Sequence, residues 1–202
     1  MRLEARALSC SRGDRRLFEN ISFILEANQL LLVEGRNGSG KTSLLRILCG
    51  MRTQDDGSVL WCGESIERLG TAYYEQLAYV GHQDGVKRDL TVTENLRLAQ
   101  ILGGASKTTV QDAIEAVNLC GFEDEWCYAL SAGQRRRVAL ARLVLVASPL
   151  WILDEPLTAL DRQSIDIFRL LMQNHLDAGG MIVLTSHQDP EMTSSQVQRL
   201  RL

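Results

Sequence analysis

No Cys-x-x-Cys pair occurs in this chain. Its five cysteines, at positions 10, 49, 62, 120 and 127, are odd in number and scattered. That pattern argues against a disulfide framework and a zinc site, and for reduced thiols in a cytosolic compartment. Cys-x-x-Cys-His is missing too, so nothing reads as a haem attachment site. There is no run of about eighteen apolar residues, so the chain is not expected to cross a membrane unaided. Any membrane role has to come through a partner. The N-terminus has no apolar segment of the signal-peptide kind, and secretion is not expected. The net charge of −3 gives no strong field for nucleic acid or anionic lipid. Neither an internal repeat nor a low-complexity tract interrupts the sequence.

What is present is an ordinary globular composition, 45% hydrophobic and 23% charged over 202 residues. That is enough for one well-filled core with room for an inserted lobe. Gly35-Arg36-Asn37-Gly38-Ser39-Gly40-Lys41-Thr42 fits G-x-x-x-x-G-K-[ST], a phosphate-binding loop. The apolar run Leu30 to Glu34 reads as a buried strand leading into it. Ser43 to Leu48 reads as the helix that follows, which Gly50 can end. Glycines let the backbone curl until several N–H groups face one phosphate, and the helix N-terminus adds its dipole. Lys41 can reach the β- and γ-phosphates, and the Thr42 hydroxyl can hold Mg²⁺. With Ser43, these residues form the expected triphosphate-binding set. The loop specifies a nucleotide triphosphate and no particular reaction.

Along the chain, Leu3 to Leu8 and Ile21 to Leu25 read as strands around a polar turn, Ser11 to Arg16. Further strands are expected at Gly57–Gly63, Leu77–Val80, Leu150–Leu153, Met181–Leu184 and, at an edge, Val197–Leu202. Residues of about 84 to 131 change character. Leu90 to Leu102 reads as a helix opened by a Thr91-x-x-Glu94 capping box, and Val110 to Leu119 as a second helix. Ala132 to Ala147 is a long helix, again with a capping box, Ser131-x-x-Gln134. Ser164 to Leu176 is amphipathic, with Ile165, Phe168 and Met172 on one side. The expectation is an α/β chain with a mainly parallel sheet, N-terminal antiparallel strands and an inserted helical subdomain. One domain spans 1–202, its core at about 1–83 and 132–202, its helical subdomain at about 84–131.

Two constellations add chemistry. Asp154-Glu155 closes the apolar strand Leu150 to Leu153. A strand-end Asp beside a phosphate loop orders a Mg²⁺ shell, and Glu155 is placed to act as general base on an attacking water. Leu130-Ser131-Ala132-Gly133-Gln134 places a serine hydroxyl and small residues at a helix N-terminus, an anion-binding end. With it the sequence resembles the nucleotide-binding domains of ABC ATPases, whose signature is Leu-Ser-x-Gly-Gln. The resemblance covers nearly the whole chain. It implies that Ser131, Gly133 and Gln134 meet ATP held by the phosphate loop of a second copy, in a homodimer. It implies that Gln83 is a Mg²⁺ and water ligand, that Asp161 lies in a loop crossing the dimer, and that His187 contacts the γ-phosphate. His82 and His175 read as structural. Where the family has an adenine-stacking aromatic, this chain has Arg12. A guanidinium can stack on a base, and a solvated turn residue is equally consistent.

Within that family the chain most resembles the ATPase subunits of cytochrome c maturation systems. The stretches that carry this are Gly81-His82-Gln83-x-Gly85-x-Lys87, Leu130 to Leu143, Trp151 to Asp161 and Ala178 to Thr185. The resemblance implies ATP hydrolysis with Mg²⁺ and attachment to an integral membrane permease. It places the chain peripherally on the cytoplasmic face of a bacterial inner membrane. From position alone, since the Gln83-to-Lys87 stretch joins the γ-phosphate sensor to the inserted lobe, that lobe and stretch are expected to receive a cytoplasmic loop of the permease, with Val86 and Lys87 at the docking surface. Another small exporter, a soluble ABC ATPase and a small-molecule phosphotransferase are the competing classes. The soluble members commonly carry two such domains or a long coiled-coil insert, and a kinase has no use for the signature.

Overall fold

Two antiparallel strands open the chain, β1 (Arg2–Arg12) and β2 (Arg15–Glu26). The structure is a computed structural model that describes residues 1–103, 108–186, 189–192 and 196–202. Both strands run further than their apolar stretches suggest. Ser11 pairs with Arg16 and Arg12 with Arg15, so the expected six-residue polar turn shrinks to Gly13-Asp14. Gly13 at φ 58° supplies the left-handed backbone that so tight a hairpin needs. After β3 (Leu30–Glu34) and α1 (Lys41–Leu48), β4 (Asp56–Trp61) and β5 (Glu64–Ser65) join β1 and β2 in a sheet of order β2-β1-β4-β5. Two short helices follow, α2 (Ile66–Leu69) and α3 (Thr71–Tyr74), which have no clear sequence signal at four residues each.

The remaining strands are β6 (Leu77–Val80), β7 (Leu150–Asp154), β8 (Met181–Thr185) and β9 (Val197–Arg201). With β3 they form a parallel sheet of order β6-β7-β8-β3-β9. Its inner strands are apolar throughout because both faces are covered. Leu31, Val33, Ile152 and Val183 pack toward α1 and the antiparallel sheet. Their neighbours Leu32, Leu153, Ile182 and Leu184 face the opposite way, into the layer of α6 (Ala132–Leu145) and α7 (Arg162–Asp177). The two-residue period of a strand makes that division.

A third apolar cluster lies around α4 (Val92–Gly103) and α5 (Val110–Ala116). The Thr91–Glu94 capping box forms as expected, and a second one, Thr109–Asp112, opens α5. Helix α6 serves two clusters. Ala139, Leu140 and Leu143 pack on the parallel sheet, whereas Val138, Ala141 and Leu145 pack on α4 and α5. Val86 touches both clusters as well. Its side chain is therefore packing and not a free docking surface, while Lys87 remains exposed.

Candidate active site

Strand order brings the chemistry together. β8 lies between β3 and β7 and pairs parallel with both, so the C-terminal ends of all three strands lie at one edge of the sheet. The loop after β3 turns into α1 through Gly40, at φ 106°. A side chain there would collide with Leu17 Cβ at 2.9 Å and Phe18 Cδ1 at 3.0 Å. The Leu17-Phe18 pair in β2 thus backs the loop, and only glycine fits. Lys41, buried, donates from Nζ to the Gly35 carbonyl over 2.8 Å, which folds its ammonium across the mouth of the loop.

The Asp154 carboxylate is buried at the end of β7 and each of its oxygens has a partner. Thr42 Oγ1 donates to Oδ2 over 2.8 Å, and Thr185 Oγ1 donates to Oδ1 over 2.7 Å. Next in sequence, Glu155 has a left-handed backbone at φ 51°. Its N–H donates to Thr185 Oγ1 over 2.9 Å. Such a conformation is uncommon for a residue other than glycine, and persists where the surroundings enforce it.

Asp154 and Glu155 line an open cleft of about 480 Å³ with Arg12, Leu17, His82 and Thr158. The loop contributes Arg36, Asn37, Gly38, Gly40, Lys41, Thr42 and Ser43 to it. Gly35 and Ser39 do not line it: Ser39 Oγ turns back over Gly35 and is buried without a hydrogen-bond partner among the described residues. Arg12 ends β1 and is exposed at the rim, so it is not a turn residue. His82 belongs to the cleft, contrary to the structural role expected for it. His175 does keep that role, stacked on Trp151 with centroids 3.9 Å apart. Gln83 lies next door, in a cleft of about 560 Å³ that shares Thr42, His82 and Asp154 with the first. A larger cleft, about 820 Å³ between α3, β6, α4 and α6, holds none of the phosphate-loop residues.

Ser131, Gly133, Gln134 and Asp161 line neither the nucleotide cleft nor its neighbour. Ser131 is exposed and caps α6: Gln134 N–H donates to its Oγ over 3.1 Å, and Ser131 N–H donates to Gln134 Oε1 over 2.8 Å. Gly133 sits under the Ala159 carbonyl, 2.8 Å from where a Cβ would be. Asp161 caps α7, accepting from Ser164 N–H over 2.8 Å, and that bond holds its carboxyl below the usual carboxylate range. His187 lies outside the described residues.

Thr185 was not among the expected site residues. Its signal is its place, at the end of an apolar strand beside the Asp154 strand, and only the strand order makes that legible. Arg136 was likewise hidden in the run Arg135-Arg136-Arg137. The donor set around Asp154, a carboxylate, a hydroxyl and the nearby Gln83 amide, is all oxygen, which suits a hard divalent cation.

A family model described as ABC transporter matches residues 18–158. The chain is 48% identical over 202 residues to a Nitrosospira multiformis protein described as cytochrome c biogenesis ATP-binding export protein CcmA, covering 99% of this chain and 98% of that one. A Vibrio vulnificus protein of the same description is 46% identical, with 99% and 98% covered. Among solved structures, a putative ABC transporter ATP-binding protein from Pyrococcus furiosus matches with a TM-score of 0.84 at 25% identity, covering 99% of this chain and 98% of its own.

Proposed function

The chain belongs to the ABC transporter family, and from that premise we propose that it is the ATP-hydrolysing subunit of a membrane complex for c-type cytochrome biogenesis. One observation carries the chemistry: Lys41 and Thr42, which open α1, meet Asp154 and Glu155, at the end of β7, in one cleft. The relative at 48% identity over nearly the full length of both chains supports the process.

In this reading the loop N–H groups and Lys41 hold the β- and γ-phosphates. Arg12, at the cleft rim, stacks its guanidinium on the adenine. Thr42, Asp154 and Gln83 would hold Mg²⁺, which would supply charge neutralisation at the transferring phosphoryl group. Glu155 takes a proton from the attacking water. The water oxygen bonds to the γ-phosphorus, the bond to the bridging oxygen breaks, and ADP leaves with phosphate. His187 contacts the γ-phosphate.

Ser131, Gly133 and Gln134 act on the ATP of a second copy. Their absence from the cleft of their own chain supports this, because a capped helix end with an exposed serine has no phosphate of its own to bind. Among the described residues no helix is long and apolar enough to cross a membrane. In this reading the chain acts peripherally, on the cytoplasmic face of the inner membrane, held by an integral permease, which the description of its relatives as ATP-binding export proteins supports. Residues 84–131 form the helical subdomain that receives it, with Lys87 exposed near its start.

The test is turnover with Mg-ATP. Glu155→Gln keeps ATP binding and loses roughly 10²–10⁴-fold in rate. Wild-type turnover in that variant overturns the role of Glu155. Copurification of the tagged chain with one integral membrane protein, and loss of mature c-type cytochromes when the chain is deleted, test the assignment to the process.

A further inference from the structure

Arg136 is buried in the second turn of α6, the helix that Ser131 caps. Its guanidinium donates to four carbonyl oxygens. Nη1 reaches Gly81 over 2.8 Å, and Nε reaches Pro156 over 3.0 Å. Nη2 reaches Asp154 over 3.0 Å and Glu155 over 2.8 Å. All four acceptors are backbone. Taking a cation out of water is costly unless its donors are met, and here the carbonyls meet them. Only the planar fork of arginine can span acceptors on two separate loops at once.

Both loops carry site residues. Gly81 precedes His82 and Gln83. Asp154 to Pro156 flank the left-handed Glu155 backbone, whose N–H is already fixed by Thr185. Holding the Glu155 carbonyl as well clamps the peptide groups on both sides of that residue, which leaves its side chain one direction to leave the backbone. The clamp stands on the signature helix and not on either loop.

We propose that Arg136 is a positioning residue for hydrolysis. It aims the Glu155 carboxylate and makes that aim depend on where α6 sits, so that a move of the signature helix is felt at the base and at the Gln83 loop together. This rests on Glu155 serving as the base. A clamp that only braced the fold would change stability and leave the rate per folded molecule alone.

The experiment compares the full chain, Arg136→Lys, Glu155→Gln and the double variant in Mg-ATP turnover, with ATP affinity and melting temperature measured on each sample. Arg136→Gln replaces the lysine variant if the latter does not fold, since it keeps two N–H donors without the charge. Expected for Arg136→Lys is a fall in kcat of roughly ten- to hundredfold at near-unchanged ATP affinity, as for a misplaced reacting group. The double variant should be no slower than Glu155→Gln alone, because both changes act through one carboxylate. A wild-type kcat in Arg136→Lys, with Glu155→Gln slow, overturns the positioning role and leaves the base assignment standing. Multiplying effects in the double variant also overturn it. Fast Glu155→Gln removes the base assignment itself, and with it this proposal.

Discussion

Thr185 stands between Asp154 and Glu155 as a two-sided brace: its hydroxyl donates to the Asp154 carboxylate over 2.7 Å and accepts from the Glu155 N–H over 2.9 Å. In the sheet register Asp154 and Thr185 are direct partners on neighbouring strands. Thr185→Val removes the hydroxyl at nearly constant shape and leaves Asp154 Oδ1 buried without that donor. We expect a loss of about 1–3 kcal/mol in denaturant unfolding and a roughly tenfold or greater drop in turnover. Thr185→Ser should restore most of both. If the valine variant unfolds and turns over like wild type, the brace is incidental.

Lys41 is held over the loop by the Gly35 carbonyl, which fixes its ammonium at the phosphate-binding loop. Lys41→Ala removes a charge-assisted donor to phosphate, a contribution of about 1.5–3 kcal/mol. ATP affinity should then fall roughly ten- to hundredfold. Titration calorimetry with a slowly hydrolysed ATP analogue reads this directly. An unchanged dissociation constant would remove Lys41 from the phosphate site.

The separation of Ser131 from the cleft of its own chain predicts ATP-driven pairing. In the proposed pairing each copy would offer its signature to the other's γ-phosphate, and a two-fold arrangement would close both sites. Glu155→Gln with saturating Mg-ATP should run as a dimer in gel filtration and light scattering. Ser131→Arg should bind ATP and stay monomeric. Mixed with Lys41→Ala, it should recover one complete site and part of the pairing. A Glu155→Gln chain that stays monomeric at high concentration would leave only a dimer held by the permease.

His175 stacks on Trp151, and burial pushes its pKa below the usual 6.5. The unfolded chain therefore takes up a proton that the folded chain resists. The resulting stability is fully present above pH 6.5 and is lost as pH falls through that value toward the lowered folded one. His175→Phe keeps a ring against Trp151 and removes the titration. Melting temperature from pH 7.5 to 5.5 should fall less in the variant than in wild type. Parallel falls would show that other groups carry the acid sensitivity.

Several features were legible in the chain itself because their causes are local. The phosphate loop, the unbroken apolar runs of β3 and β8, and the Thr91–Glu94 and Ser131–Gln134 boxes each depend on residues within a few positions of one another. Backbone period and capping geometry operate at that range. Helix α6 was also found from sequence, although its weak amphipathicity gave no hint that two clusters share it.

What only the tertiary structure decided spans long separations. Arg136 meets Gly81 across 55 positions, Thr185 meets Asp154 across 31, and Thr42 meets Asp154 across 112. Leu17-Phe18 closes behind Gly40, and His82 turns into the cleft. None of these has a local signature, because an arginine or a threonine is compatible with many surroundings. Strand order chooses among them: placing β8 beside β7 puts the Thr185 hydroxyl between the Asp154 carboxylate and the Glu155 N–H, and placing β6 beside β7 brings the Gly81 and Asp154–Pro156 carbonyls within reach of one guanidinium. The sequence by itself determined the phosphate-binding loop and the strand-end pair Asp154-Glu155. The sheet decided which side chains hold those residues in place, since that requires groups far apart in the chain to be brought within hydrogen-bond distance.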